Sequence, residues 1–236
     1  MTIIEIGSIT IQLNRKAIKN LHISVLPPDG RVRASVPEYM TDAAMRMAVI
    51  RRIPWIKKQQ NNFIKQPRQS EREMVNGECH YLWGRRYRLN VVAHIGKHEA
   101  KLNRGRLHLY VNPMVTAEQK ILVLTTYYRN VLKKRISDLL PIWENKIGVD
   151  VAAWGVKKMK TKWGSCNTQA KRIWLNLELA KKPPECLEYI LVHELVHLLE
   201  RNHNDRFKAH MDKLLPDWLE RKALLNGLPL NYDNWL

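Results

Sequence analysis

Tyr189-Ile190-Leu191-Val192-His193-Glu194-Leu195-Val196-His197-Leu198 is the stretch on which the reading of this chain turns. It belongs to an apolar run that opens at Pro183-Pro184 and reads as a helix through about Glu200, because proline suits a first helical turn. Leu187, Ile190, Leu191, Val192, Leu195, Val196, Leu198 and Leu199 cover much of its circumference, which is the pattern of a helix buried on most sides. Inside it lies H-E-x-x-H. Residues four apart share a helical face, so the imidazoles of His193 and His197 can reach one ion, while Glu194 projects beside them. Two core histidines and a paired glutamate would fit the same letters. A carboxylate buried beside two imidazoles is costly, however, unless a metal or a charge compensates it.

A catalytic zinc takes three protein ligands and keeps one position open. His203 follows His197 by six residues, past Asn202, which is expected to leave the helix in a left-handed turn. That spacing matches H-E-x-x-H-x-x-G-x-x-H, except that Glu200 stands where the glycine belongs, so the turn must differ. Glu200, Asp205, His210 and Asp212 are the other candidates. His203 is favoured because imidazole suits zinc and the turn is adjacent.

Working outward, Asp205 to Leu215 reads as a further helix, with more helix around Trp218–Asn226. Upstream, Val151–Thr161 and Arg172–Leu177 are strand candidates joined by a loop containing Gly164-Ser165-Cys166-Asn167. Residues 117–146 carry Ile121, Leu124, Tyr128, Leu132, Ile136 and Leu139 at helical spacing, with Pro141 placed to end or bend the helix. From Met74 to Val111 short apolar runs are separated by Gly77, Gly84, Gly96 and Gly105, the signature of a β-meander. Residues 66–72 are polar and without periodicity, and read as a linker. Before them, Thr41 caps a helix through about Gln60 that Pro54 is placed to interrupt. Strand patterns occupy residues 3–13, 20–26 and 31–36, with a turn at Pro27-Pro28-Asp29-Gly30. No internal repeat is visible.

The 236 residues carry 40 Lys+Arg against 22 Asp+Glu, a formal net charge of +18. Residues 1–114 hold 20 basic and 8 acidic residues, so most of the excess lies outside the H-E-x-x-H half. Such a surface attracts phosphates in a salt-dependent way, and weak nucleic-acid or nucleotide binding is expected of it. Cys79, Cys166 and Cys186 form no C-x-x-C pair and no disulfide framework. The alternating N-terminus is unlike a signal peptide and no apolar run reaches a membrane span, so a cytoplasmic protein with no membrane partner is expected.

The run Lys162-Trp163-Gly164-Ser165-Cys166-Asn167, then Ile173-Trp174-Leu175-Asn176, the H-E-x-x-H segment, Asn202-His203 and Phe207 resemble the YgjP-like metallopeptidases, gluzincin-like or SprT-like zinc hydrolases. Asp29-Gly30-Arg31-Val32, Trp55-Ile56, Gly77-Glu78 and Tyr81 to Tyr87 extend the resemblance upstream. It implies His193, His197 and His203 as ligands of one zinc per chain and Glu194 as the base. Lys208 stands where an aromatic is usual, and Asn204-Asp205 where Ser-Pro is usual.

The expected fold is α+β: a basic, β-rich region with one helix over 1–114, then a zincin-like hydrolase domain over 115–236 whose H-E-x-x-H helix packs on a small sheet. The expected activity is zinc-dependent peptide hydrolysis, on a peptide or protein substrate. A strand around 156–163 or 172–177 would pair with that substrate, and the Trp163-Gly164-Ser165-Cys166 turn and Tyr189 would lie near it. Two alternatives stand beside this: a metal-dependent nucleoside triphosphate pyrophosphatase of UTP type, an activity also attached to the family, and a nucleic-acid-binding module with a structural zinc.

Overall fold

The structure, a computed structural model, describes residues 2–26, 29–65, 73–159 and 162–227. They divide into two compact units, one within residues 1–70 and one spanning Glu71–Leu228. Among the described residues the fold is mixed α/β, with five α-helices and three small sheets.

The first unit opens with a hairpin of β1 (Thr2–Ile6) and β2 (Ile9–Lys16), followed by β3 (His22–Leu26) and β4 (Arg31–Pro37). The single strand expected over 3–13 is therefore two. Gly7 turns the chain at φ 61°, a conformation glycine adopts without steric cost, and the apolar alternation runs on across the turn and hides it. The strand order is β1-β2-β4-β3, with β2 and β4 parallel. Helix α1 (Asp42–Lys65) covers one face, burying Met45, Val49 and Ile56 with Ile11, Val32 and Ala34. It runs through Pro54 rather than stopping there. Pro54 and Ile50, whose carbonyl the proline leaves without a donor, are both exposed, so water can take the place of the lost bond. Pro27 and Pro28 of the expected turn, and the whole of the expected linker 66–72, lie outside the described residues.

The second unit begins with β5 (Cys79–Leu82), β6 (Arg85–Ala93), β7 (Glu99–Asn103) and β8 (Arg106–Val111). These strands are not a meander. Their order is β5-β6-β8-β7, because β8 pairs in parallel with β6 and leaves β7 on the outside. Strand order, parallel central pair and following helix all repeat the first unit. The repeat is one of topology, which explains why no repeat is visible in the letters: each copy fills its own core with different side chains.

Helix α2 (Ala117–Ile147) follows, started by a reciprocal capping box between Thr116 and Gln119 and ended at Gly148. Its Leu132 and Ile136 share one core with Leu89, Leu107, Leu109 and Val111 of the sheet and with Leu191 and Leu195 of the H-E-x-x-H helix. The boundary expected at 114/115 thus falls inside a unit. Charge and composition change there, but the sheet's apolar face has to be buried, and α2 and its neighbours bury it.

The third sheet carries the site. It holds β9 (Ala153–Lys157), β10 (Gly164–Asn167) and β11 (Arg172–Asn176) in the order β10-β11-β9. The segment Gly164-Ser165-Cys166-Asn167, expected as a connecting loop, is itself a strand antiparallel to β11. The turn falls one step later, where Lys171 adopts φ 43°. Of the candidate Val151–Thr161 only β9 is strand, and residues 160 and 161 lie outside the described residues. A 3-10 turn (Leu177–Lys181) leads to α3 (Pro184–Val196), then α4 (Asp205–Leu214) and α5 (Trp218–Gly227). Helix α3 packs on β10 and β11 and is flanked by α2, α4 and α5. Glu188 fixes its rotation, accepting from Trp143 Nε1 of α2 at 3.1 Å and from Arg221 Nη1 of α5 at 2.6 Å. Among the described residues no helix is long and apolar enough to cross a membrane.

Candidate metal centre

Helix α3 is buried around most of its circumference, and its last turns present His193 and His197 to a cleft of about 670 Å³. The chain then leaves the helix without the left-handed turn expected at Asn202, which is not among the residues with positive φ. His197 closes the helix in right-handed geometry, and Leu198 N–H and Leu199 N–H reach back only three residues, to the carbonyls of Leu195 and Val196. The Glu200 carboxylate accepts from Asn202 N–H at 3.2 Å, and Asn202 C=O accepts from Asn204 N–H at 2.8 Å. A side-chain acceptor thus does here what backbone freedom does where glycine holds this position. Asn204 caps α4 by accepting from Phe207 N–H at 3.0 Å.

This path returns His203 to the cleft. The ring nitrogens His203 Nε2 and His193 Nε2 are 2.9 Å apart, and one nitrogen from each of His193, His197 and His203 lies within 4.8 Å of the others. Two nitrogens at zinc distance on a tetrahedral ion are about 3.3 Å apart, so the three can hold one metal ion once the wider of these separations closes by rotation of the rings. Protonation states agree. Burial, then the neighbouring His197 and His203, pushes His193 down to about 3, and burial lowers His197 as well. His193 Nδ1 is buried without a hydrogen-bond partner among the described residues, which further disfavours an imidazolium. His197 Nδ1 lies 3.1 Å from Glu200 C=O. A carbonyl only accepts, so Nδ1 carries the proton and Nε2 keeps the lone pair a metal needs. The other candidate ligands are engaged elsewhere: Asp205 pairs with Lys208, and Asp212 accepts from Trp218 Nε1. His210 is not part of the cluster.

One residue absent from the sequence candidates completes the cluster. The Phe207 ring lies 4.9, 4.8 and 4.8 Å from the rings of His193, His197 and His203. It is buried and forms an apolar backing shared by all three imidazoles. Its position one turn into a capped helix after His203 was the available signal.

Glu194 is 5% exposed, and burial pushes its carboxyl up to about 8 against the opposing pull of Lys162. It lies directly on Gly164. A methyl group built on that glycine would stand 2.7 Å from Glu194 Cγ and 2.8 Å from Cδ, and closer still to Oε1. Trp163, Gly164, Ser165 and Tyr189 all line the cleft, Gly164 and Ser165 as the start of β10 and Trp163 in the bend just before it. Tyr189 is at the same time a core residue, stacked on Trp218 and edge-on to His193, with its hydroxyl pushed up to about 12 by burial and then by Glu194. Asn176 pins the chain before β10. Its amide nitrogen donates to the carbonyls of Met159 at 2.9 Å and Lys162 at 2.7 Å, and its backbone N–H donates to Trp163 C=O.

A family model described as YgjP-like, metallopeptidase domain, matches residues 19–227 of the sequence. The chain belongs to the YgjP-like family. It is accordingly a metallopeptidase by family, which implies a divalent metal and a peptide or protein substrate. No curated protein matches it. Two solved structures are similar over part of the chain. One is the metallopeptidase zymogen of Pyrococcus abyssi abylysin, 22% identical over 38% of this chain and 90% of that one, with a TM-score of 0.36. The other is the metallopeptidase zymogen of Methanocaldococcus jannaschii jannalysin, 23% identical over 40% and 92%, with a TM-score of 0.33.

Proposed function

We propose that this chain is a zinc-dependent metallopeptidase in which His193, His197 and His203 hold one zinc and Glu194 is the general base. The observation that carries this reading is the three-histidine cluster beside a buried carboxylate on one cleft wall. Three imidazoles without a thiolate or a ligating carboxylate are a donor set that suits zinc, and they leave a position open. When bound, the zinc would polarise the scissile carbonyl and acidify a water. The chain's own residues do the rest. Glu194 takes the proton of the attacking water on its carboxylate and passes it to the leaving nitrogen. Gly164, having no side chain, lets that carboxylate lie against β10. Strand β11 has partners on both sides and cannot accept a substrate strand, whereas β10 is an edge strand whose residues line the cleft. An extended peptide would add to β10, in the 164–167 segment, rather than to 172–177.

The test uses the purified full-length chain with zinc and, separately, casein and UTP. Casein cleavage with about one zinc per chain is the expected result. Loss of zinc in His193→Ala or His197→Ala, and retention of zinc with at least ~100-fold slower turnover in Glu194→Gln, would assign the roles. Hydrolysis of UTP but not of casein would replace this reading with the phosphohydrolase one. Zinc that stays bound with no turnover of either would favour a structural metal.

A further inference from the structure

The carboxylates around the cleft are already engaged. Glu188 is held by Arg221 and Trp143, and Asp217 by Arg221. Asp205 pairs with Lys208, Asp212 accepts from Trp218, and Glu200 caps Asn202 N–H. The side chains of the cleft's cations make no such contact among the described residues. Lys162 lines it just before β10, and Arg201 lines it from the loop that joins His197 to His203. Both are exposed, and among the described residues neither has an ion-pair partner. Apart from buried Glu194, no Asp or Glu among the described residues lines the cleft. The cleft therefore presents two positive charges with no ion-pair partner among the described residues, Lys162 acting only at longer range on buried Glu194, and the histidine cluster lies in the same cavity.

Resting on the peptidase reading above, we propose that Lys162 and Arg201 are specificity-determining residues that select peptides carrying a carboxylate side chain close to the scissile bond. A peptide added to the edge of β10 runs along the wall that begins at Lys162, and its bond to be cleaved lies over the histidines beside Arg201. An Asp or Glu side chain near that bond meets a cation that has no ion-pair partner among the described residues. A Lys or Arg side chain there meets like charge on both walls. A neutral substrate is accepted without this gain. The effect is a preference rather than an absolute requirement, because both cations are solvated and an exposed pair is worth about two- to fivefold. It weakens as salt screens the pair.

The experiment measures kcat/KM for three peptides that differ only in Glu, Gln or Lys flanking the cleaved bond, with zinc-loaded full-length protein. The expected order is Glu above Gln above Lys, with Glu over Gln by about fivefold and the ratio shrinking at about 0.5 M salt. Lys162→Met and Arg201→Met should each reduce the Glu/Gln ratio, and the double variant should bring it close to one. Because the ratio is taken within each variant, a change in metal loading or folding cancels from it. Arg201→Lys, which keeps the charge, should retain most of the preference. Cleavage of all three peptides at equal rates, or a ratio that persists in the double variant, overturns the assignment and leaves the peptidase reading intact. Failure to cleave any of them alongside casein in the same assay overturns both.

Discussion

Gly164→Ala isolates the contact between β10 and the carboxylate of Glu194. The added methyl would lie 2.7 Å from Cγ and 2.8 Å from Cδ of Glu194, where ordinary contacts are no shorter than about 3.4 Å. Rotating the carboxylate does not relieve this, because Cγ is within the clash as well as Oε1. Glu194 is 5% exposed, so the side chain or the strand must shift by the better part of an ångström to restore ordinary contact. Backbone strain is no part of the effect, since Gly164 is not among the glycines with positive φ. Overpacking of this kind costs about 1–3 kcal/mol of stability. A misplacement of about 1 Å costs on the order of 100-fold in rate. The variant should therefore fold with a lowered Tm, hold its zinc on the untouched histidines, and turn over peptide about 100-fold more slowly. Elemental analysis, thermal melting and a peptide assay on one preparation separate the three effects. Wild-type turnover at full zinc occupancy would refute the idea that Gly164 positions Glu194.

Two further perturbations test other parts of the molecule. Burial pushes Lys182 from 10.5 down to about 8. Between those pH values the unfolded chain holds the proton and the folded chain does not, so stability rises with pH across that window. Lys182→Met should flatten the rise and stabilise the protein at pH 7 by up to roughly 3 kcal/mol, less what its contact with the Trp163 ring contributes, measured by denaturant titration at pH 7 and pH 10. On β6, Arg85, Arg86 and Arg88 are all exposed. If they form part of a phosphate-binding surface, changing all three to Glu should weaken duplex DNA binding and flatten its salt dependence without altering zinc content, as read by fluorescence anisotropy. Anisotropy that stays constant across the wild-type titration removes nucleic acid as a partner.

What the sequence determined by itself was local. H-E-x-x-H set two imidazoles and a carboxylate four residues apart or closer, and helical geometry alone brings such groups together. The all-round apolar pattern of α3 announced its burial, and the helical spacing of residues 117–146 gave α2 almost to its ends. Even the nearness of His203 to His193 and His197 was legible, since only a short turn separates it from α3. What only the tertiary structure decided were relations between segments distant in sequence. Gly164 meets Glu194 across thirty residues, and a lone glycine in a strand pattern does not say what it makes room for. Phe207 backs three histidines at once because α4 folds over α3. The order β5-β6-β8-β7 differs from a meander in non-local pairing alone, and alternation reports which face of a strand is buried, not which strand lies beside it. The same limit hid the topological repeat and set the unit boundary at 70/71 rather than 114/115. Glycine spacing and charge change along the chain, whereas cores are defined by which apolar faces find each other in space.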